Sequence, residues 1–357
     1  MRRPTWAAGW APPAAAGLVV ASVIARVVNG DGTATFVLAA AAVVPLAGLL
    51  GQSTEQLTHH TGPRIGGLLN ATFGNAAELI IGLFLVARGE IEVVQASLVG
   101  SIIGNLLLVL GASFFAGGLR YRQLTFSARA AGTHVVSMAL AVAGVLMPSI
   151  YGHEQLATEH RVEVISVWVA VVLLALYASS LVYSLVTHAD AFGESAHEPG
   201  AATWSVTTAV VVLAVVGVLV AFESELLSSA LESAVASWGV SRLWLGLILV
   251  PIVGNAAEHS TAVMVARKGN AELSIDIAAG SSAQIALVVT PVLVFAGLLF
   301  NHHLTLSFST FEVGALALAV VVVALVALDG ESNWLEGAQL LGLYAILAAT
   351  SYYLGKV

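Results

Sequence analysis

The sequence has no cysteine, and Asp, Glu, Lys and Arg together make up only 10% of its 357 residues. Without cysteine there is no disulfide, no thiolate metal site and no cysteine nucleophile, and the redox compartment is unreadable. An ordinary soluble domain is about 25% charged, so this chain cannot build a water-facing surface of its own size. Disorder, coiled coil and nucleic-acid binding need abundant charge and are excluded by the same figure. Arg2 and Arg3 open the chain without a small-residue cleavage site behind them, so the first apolar stretch is expected to be retained. What the chain has instead is apolar residues, 58% of the total, with a mean hydropathy of +0.93. That is the composition of a polytopic membrane protein.

A bilayer core of about 30 Å takes about 20 helical residues, and helices satisfy their own backbone polar groups. Apolar segments fall near 11–28, 33–51, 66–87, 91–117, 128–148, 162–187, 203–222, 243–266, 273–300, 309–328 and 334–354. Eleven transmembrane helices are therefore expected, in an all-α fold. A membrane β-barrel would show alternating strands of about ten residues, and unbroken runs such as Ala209–Val220 argue against it. Basic residues in short loops favour the cytoplasm. With the amino terminus inside, Arg2, Arg3, Arg64, Arg120, Arg122, Arg129, Arg267 and Lys268 share the cytoplasmic side. Arg26, Arg88, Arg161, Arg242 and Lys356 face the other way. The integral membrane chain is thus oriented with its amino terminus cytoplasmic, as for a prokaryotic inner or plasma membrane. One composition break interrupts the pattern, the acidic segment 188–202 with Asp190, Glu194 and Glu198. It reads as a solvated linker, or as a weak cation-attracting surface.

The chain also matches itself at an offset of 180 residues. Gly66, Leu69, Gly74, Asn75, Ala76, Ala77 and Glu78 recur as Gly246, Leu249, Gly254, Asn255, Ala256, Ala257 and Glu258. Gly89, Glu92, Gly100 and Ser101 then recur as Gly269, Glu272, Gly280 and Ser281. Four segments are expected: an additional helix in 1–32, a first five-helix repeat in 33–187, the linker 188–202, and a second repeat in 203–357. An odd number of helices per repeat makes the two enter the membrane from opposite sides. Inverted repeats with a midplane site are the signature of secondary transporters.

Glu78 and Glu258 lie near the middle of their apolar segments, where an acidic residue costs about 2.5–3.5 kcal/mol on insertion scales. No Lys or Arg stands within two turns of either in sequence, which leaves a proton or a bound cation as the neutralising partner. Asn75 and Asn255 precede them by three residues, the spacing of a shared helix face. Gly74 and Gly254 permit close approach or unwinding. Pro251 frees a carbonyl upstream, and Asn70 and Thr72 offer oxygens in the first half. The following segments add Gln95, Ser97, Ser101 and Asn105, then Asp276, Ser281, Ser282 and Gln284. An all-oxygen set suits a hard cation, and Ca²⁺ better than Mg²⁺. Glu78 and Glu258 are the candidate metal-binding and proton-binding residues.

The motif Gly-Asn-Ala-Ala-Glu at 74–78 and 254–258 resembles the paired motif of the Ca²⁺/H⁺ antiporter family within the cation/Ca²⁺ exchanger superfamily. Leu-Leu-Asn-Ala-Thr-Phe-Gly-Asn-Ala-Ala-Glu (68–78), His259 after the second motif, and Gly-Ser-Ser-Ala-Gln-Ile-Ala-Leu (280–287) fit as well. The resemblance covers the chain from about residue 33. It implies that Glu78 and Glu258 hold Ca²⁺ and protons in turn, and that 33–51 and 203–222 form a gating pair. It further implies that Glu55 and Glu225 end those gating helices, and that Ser101, Asn105, Ser281 and Gln284 are polar partners of the glutamates. Gln284, where an acid stands in related Na⁺/Ca²⁺ exchangers, points to protons over sodium.

Three functions compete on the residues alone. Ca²⁺/H⁺ exchange by alternating access leads, with Na⁺/Ca²⁺ or other divalent exchange as the alternative within antiport. A cation channel with an acidic ring is the second class. An intramembrane hydrolase is the third, and it lacks a nucleophile–base pair. His153-Glu154 and Glu159-His160 do not make the His-Glu-x-x-His spacing of a zinc hydrolase. The chain is therefore expected to be no enzyme and to need no cofactor, with Ca²⁺, H⁺ and the bilayer as partners and a homo-oligomer left open. His59-His60 and His302-His303 fall at span ends, His134 inside a span, and His259 beside Glu258 but turned about 100° from it along a helix.

Overall fold

The computed structural model describes residues 11–152, 158–187 and 203–354. Arg2 and Arg3, the pair His153-Glu154, Lys356 and the acidic segment 188–202 lie outside them. The described residues are mostly helical. The helices are α1 (Ala11–Asn29), α2 (Thr33–Phe73), α3 (Ala76–Ala87), α4 (Ile91–Gly118), α5 (Ala128–Gly152) and α6 (Glu159–Val182). They continue as α7 (Val206–Ser229), α8 (Leu231–Trp238), α9 (Arg242–Gly254), α10 (Ala256–Ala266), α11 (Ala271–Leu299), α12 (Thr310–Val326) and α13 (Trp334–Leu354). One short antiparallel ladder pairs β1 (Leu124–Thr125) with β2 (Glu331–Ser332).

Among the described residues, seven helices are long and apolar enough to cross a bilayer, or eight if the bent pair α8 and α9 counts as one. The eleven spans expected from hydropathy are not all continuous helices, because both segments that carry the repeated motif are broken. Segment 66–87 splits at Gly74-Asn75 into the end of α2 and the short α3, and 243–266 splits at Asn255 into α9 and α10. Glycines make the sharper bends. Gly62 takes φ 78° inside α2, folding the chain back until Gly66 meets the Thr58 side chain, and Gly239 takes φ 60° before the 114° bend between α8 and α9. Positive φ is open to glycine at little steric cost.

The duplication shows in local geometry as well as in sequence. Gly89 and Gly269 both adopt left-handed turns. Glu90 N donates to Leu85 O and, 180 residues on, Asn270 N donates to Val265 O. A π turn interrupts α4 at Gly104–Val109 and α11 at Ile285–Val289. The compact packing units nevertheless cut across the repeats. One unit gathers the described parts of Met1–Phe84, Ala175–Gly239 and Val253–Ala257, and the other gathers those of Leu85–Leu174, Val240–Ile252 and Glu258–Val357.

In the first unit α1, α2 and α7 pack on one another around Ala11, Ala15, Leu46, Leu50, Val216 and Val220, with Ala76 and Ala77 of α3 in the same core. In the second, α4 crosses α9 at glycines. A methyl group on Gly100 would sit 2.1 Å from Leu247 O, and one on Gly246 would sit 2.7 Å from Val93 O. Small residues that let backbones touch are how membrane helices associate without a hydrophobic drive between them. The second unit also holds an extended strap between α11 and α12, with Leu304, Leu306 and Phe308 buried. Its backbone is satisfied by side chains of three helices. Gln95 donates to the carbonyls of Thr305 and Ser307, Ser149 donates to Leu306 O and accepts from Phe308 N, and Ser166 accepts from Leu306 N.

Candidate cation site

Both motif glutamates stand in the first turn of a helix that begins at the break, Glu78 in α3 and Glu258 in α10. Four backbone N–H groups at a helix start have no partner within the helix, and the positive end of the macrodipole favours a carboxylate there. Asn75 and Asn255 occupy the breaks, and both are buried. Asn followed three residues later by Glu is the spacing of a helix N-cap and its third residue. The repeated Asn-Ala-Ala-Glu is thus a helix-start signal placed in an apolar span. The helix whose face Asn and Glu were expected to share begins at the Asn itself, and Glu belongs to its first turn. Leu79 N donates to Asn75 O at 3.0 Å as the new helix closes.

In the first unit the two motif copies touch. A methyl group on Gly254 would lie 3.1 Å from Glu78 Cγ and 3.6 Å from its Oε1. The absent side chain therefore lets the Glu78 carboxylate lie along the backbone just before Asn255. Thr72 is exposed at the end of α2. Glu55 is exposed with His59 Nε2 3.6 Å from its Oε1, and Glu225 is half-buried on α7.

In the second unit a hydrogen-bonded chain ends at the other glutamate. Ser281 hydrogen-bonds the Glu258 carboxylate, Asn105 Nδ2 donates to Ser281 Oγ at 3.1 Å, and His259 Nε2 lies 3.2 Å from Asn105 Oδ1. The Glu258 Oε2 atom is enclosed and has no hydrogen-bond partner among the described residues. A buried carboxylate oxygen left this way is costly unless a proton or a cation satisfies it. Ser101 is buried on α4 and Gln284 is half-buried on α11, next to the π turn.

Other polar residues of these segments have different work. Gln95 is held by the strap carbonyls, Ser97 donates to Val94 O of its own helix, and Ser282 donates to Ala278 O. His259 is the contact that sequence left as packing or indirect support, since its helical phase points away from Glu258. Asn105 brings the two back into one network.

A doubled helical membrane chain, with one motif breaking a helix in each copy and a carboxylate at each new helix start, defines a secondary transporter. The chain belongs to the sodium/calcium exchanger protein family, whose pattern matches residues 32–186 and 208–353. It is 45% identical to a Ca²⁺/H⁺ antiporter of Synechocystis over 342 residues, covering 90% of this chain and 91% of that one. It is 39% identical to a Ca²⁺/H⁺ antiporter of Bacillus subtilis over 336 residues, covering 92% and 94%. Among solved structures, YfkE superposes with a TM-score of 0.84 at 34% identity, covering 96% of this chain and 99% of that one. An H⁺/Ca²⁺ exchanger shares the fold, with a TM-score of 0.73 at 15% identity over 96% and 91%.

Proposed function

We infer that this multi-pass membrane protein is a secondary antiporter that exchanges Ca²⁺ for H⁺. The antiporters it resembles over nine-tenths of its length support the substrate pair. The observation that carries the site is Glu258, with one side of its carboxylate on Ser281 and Oε2 buried without a protein partner among the described residues. Glu78 and Glu258 take the cation or protons in turn. Two carboxylates are neutralised by one Ca²⁺ or by two protons, and only a neutral load crosses an apolar barrier cheaply. Asn75, Asn255 and the backbone at the two breaks supply neutral oxygens of the kind a hard, flexibly coordinated cation uses. Ser281 and Asn105 orient Glu258, Ser101, Gln284 and Thr72 support the site, and Glu55 and Glu225 stand at the entrance. The chain sits in a prokaryotic inner membrane with its amino terminus inside, and it performs no covalent chemistry.

Purified protein in liposomes tests this. An imposed pH gradient should drive Ca²⁺ uptake in the absence of Na⁺, and acidifying the tested face should raise the apparent Ca²⁺ dissociation constant. Uptake that requires an outward Na⁺ gradient and ignores collapse of the pH gradient would instead establish Na⁺/Ca²⁺ exchange.

A further inference from the structure

Glu223 lies outside the repeated motif, and 180 residues upstream of it stands Val43. It is fully buried on α7, on the face that carries Val216 and Val220 into the α1–α2–α7 core. Its partner is Ser22 of α1, also fully buried, on the stripe that includes Ala15 and Ala25. Ser22 Oγ lies 2.8 Å from Glu223 Oε1 and 2.7 Å from the Val19 carbonyl oxygen. The Glu223 Oε2 atom is enclosed with no hydrogen-bond partner among the described residues.

Counting hydrogens decides what this pair is. A serine hydroxyl has one hydrogen, and a carbonyl oxygen can only accept. If Ser22 donates to Val19 O, its contact with Glu223 is a hydrogen bond only when the carboxyl brings the hydrogen itself. The ionised alternative leaves a full charge in an apolar helix interface with a single hydroxyl as its support, an arrangement of high cost. Among the described residues no neighbouring charge offsets it. The ionisable group of described α1 is Arg26, which pairs with Asp31. Between Thr33 and Gly51, α2 has none, and its Glu55, His59, His60 and Arg64 come later in the chain. The remaining groups, Glu225 of α7, Glu232 of α8 and Glu78 of α3, are acids.

We propose that Ser22 and Glu223 form a proton-binding site, distinct from the exchange site, that clasps the additional N-terminal helix α1 to α7. With the proton bound, the carboxyl donates to Ser22, Ser22 donates to Val19 O, and the two helices are locked. With the proton lost, the charged carboxylate seeks water and the clasp opens, so the pH on the side that reaches Glu223 sets how tightly α1 holds α7.

The full chain in lipid nanodiscs tests the site without measuring transport, so failure of the exchange reading leaves this result standing. Infrared spectra at neutral pH should contain a carboxylic-acid C=O band that Glu223→Gln removes. Because the chain has no cysteine, spin labels at Val28→Cys and Val218→Cys report the α1–α7 distance cleanly; those side chains are 72% and 70% exposed. The distance distribution should be narrow at acid and neutral pH and at least twofold broader at alkaline pH. Glu223→Gln, which mimics the protonated acid in shape, should stay narrow throughout, and Ser22→Ala should be broad at every pH. The proposal is overturned if Glu223→Gln leaves the band in place, if it broadens with the parent's pH profile, or if Ser22→Ala behaves as the parent does.

Discussion

Gly100→Ala should destabilise the second unit, while the same change at its repeat partner Gly280 should not. A methyl group on Gly100 would stand 2.1 Å from Leu247 O, 2.6 Å from its carbonyl carbon and 2.8 Å from its Cα. Ordinary contact begins at 3.4 Å, so α4 and α9 must separate by about 3.4 − 2.1 = 1.3 Å at their crossing. All three obstructing atoms are backbone, so no side-chain rotation relieves the clash. Overpacking a close-packed contact costs about 1–3 kcal/mol, and a rigid obstacle places this case near the upper end. Alanine returns about 0.5–1 kcal/mol through its better helix propensity, leaving a net loss of about 2 kcal/mol. Around Gly280 nothing lies within 4 Å, so the propensity gain stands alone and the two variants should differ by about 3 kcal/mol. At about 2–4 °C per kcal/mol, that is a separation of about 6–12 °C in unfolding midpoint. Thermal unfolding in one detergent, followed by tryptophan fluorescence, measures it, with Gly104→Ala as a second open-space control. Equal midpoints, or a lower one for Gly280→Ala, would refute the claim that the Gly100–Leu247 contact fixes the crossing.

Glu78→Gln and Glu258→Gln should each abolish pH-driven Ca²⁺ uptake while the purified variants keep the parent's elution profile. The amide keeps the size and loses the charge, and wild-type uptake by either would remove that carboxylate from the site. Ser281→Ala takes a hydrogen-bond partner from Glu258 and should weaken Ca²⁺ binding by about 10-fold, at a cost of about 1–3 kcal/mol for the group it leaves unsupported; calorimetric titration reads the change. Reading 188–202 as a solvated linker predicts that neutralising Asp190, Glu194 and Glu198 together leaves exchange at saturating Ca²⁺ intact, because charges in water are screened beyond about 8 Å. Complete loss of flux would make the linker part of the transport step. Ser166→Ala leaves the Leu306 amide without its acceptor and should lower the unfolding midpoint by several degrees with little change in Ca²⁺ affinity.

Hydropathy located the apolar segments because lipid solvation acts residue by residue and needs no tertiary information. The repeated motif was equally visible, since Gly-Asn-Ala-Ala-Glu cannot recur by chance within Ala- and Leu-rich helices. The form of the break was harder to see. Asn-x-x-Glu is the spacing of a helix face and equally of a helix start, and an apolar run on both sides suggests continuity. Polar residues inside spans were ambiguous for a related reason. Gln95 and Asn105 look alike in sequence, yet Gln95 satisfies strap carbonyls and Asn105 joins Glu258 through Ser281. Only the path of residues 302–309, far along the chain, separates the two roles. Glu223 went unnoticed because it has no counterpart in the first repeat.

The two π turns make the number of residues in α4 and α11 matter as much as their kind. An α-helix advances about 100° per residue, and a π turn absorbs one residue more than the turn it replaces. Losing one residue from Gly104–Val109 would close the π turn and keep that phase, whereas losing one from the plain α turns of Ile91–Ile103 would rotate the rest of α4 by about a quarter turn. Gly111, Gly117 and Gly118 would then leave the backbones of Gly337, Ala266 and Trp334, from which an added methyl group would stand 3.1, 2.9 and 2.3 Å. The same loss from the plain α turns of Ala271–Gln284 would turn Gly297 away from His302 and Leu304. Substitutions sample chemistry at a fixed phase, whereas insertions and deletions here change the phase itself. An ancestor that already carried the extra residue would have passed it to both copies when the chain doubled, and either copy could afterwards lose a residue from its π turn, but not from the α turns before it, without turning half a helix toward the wrong neighbours.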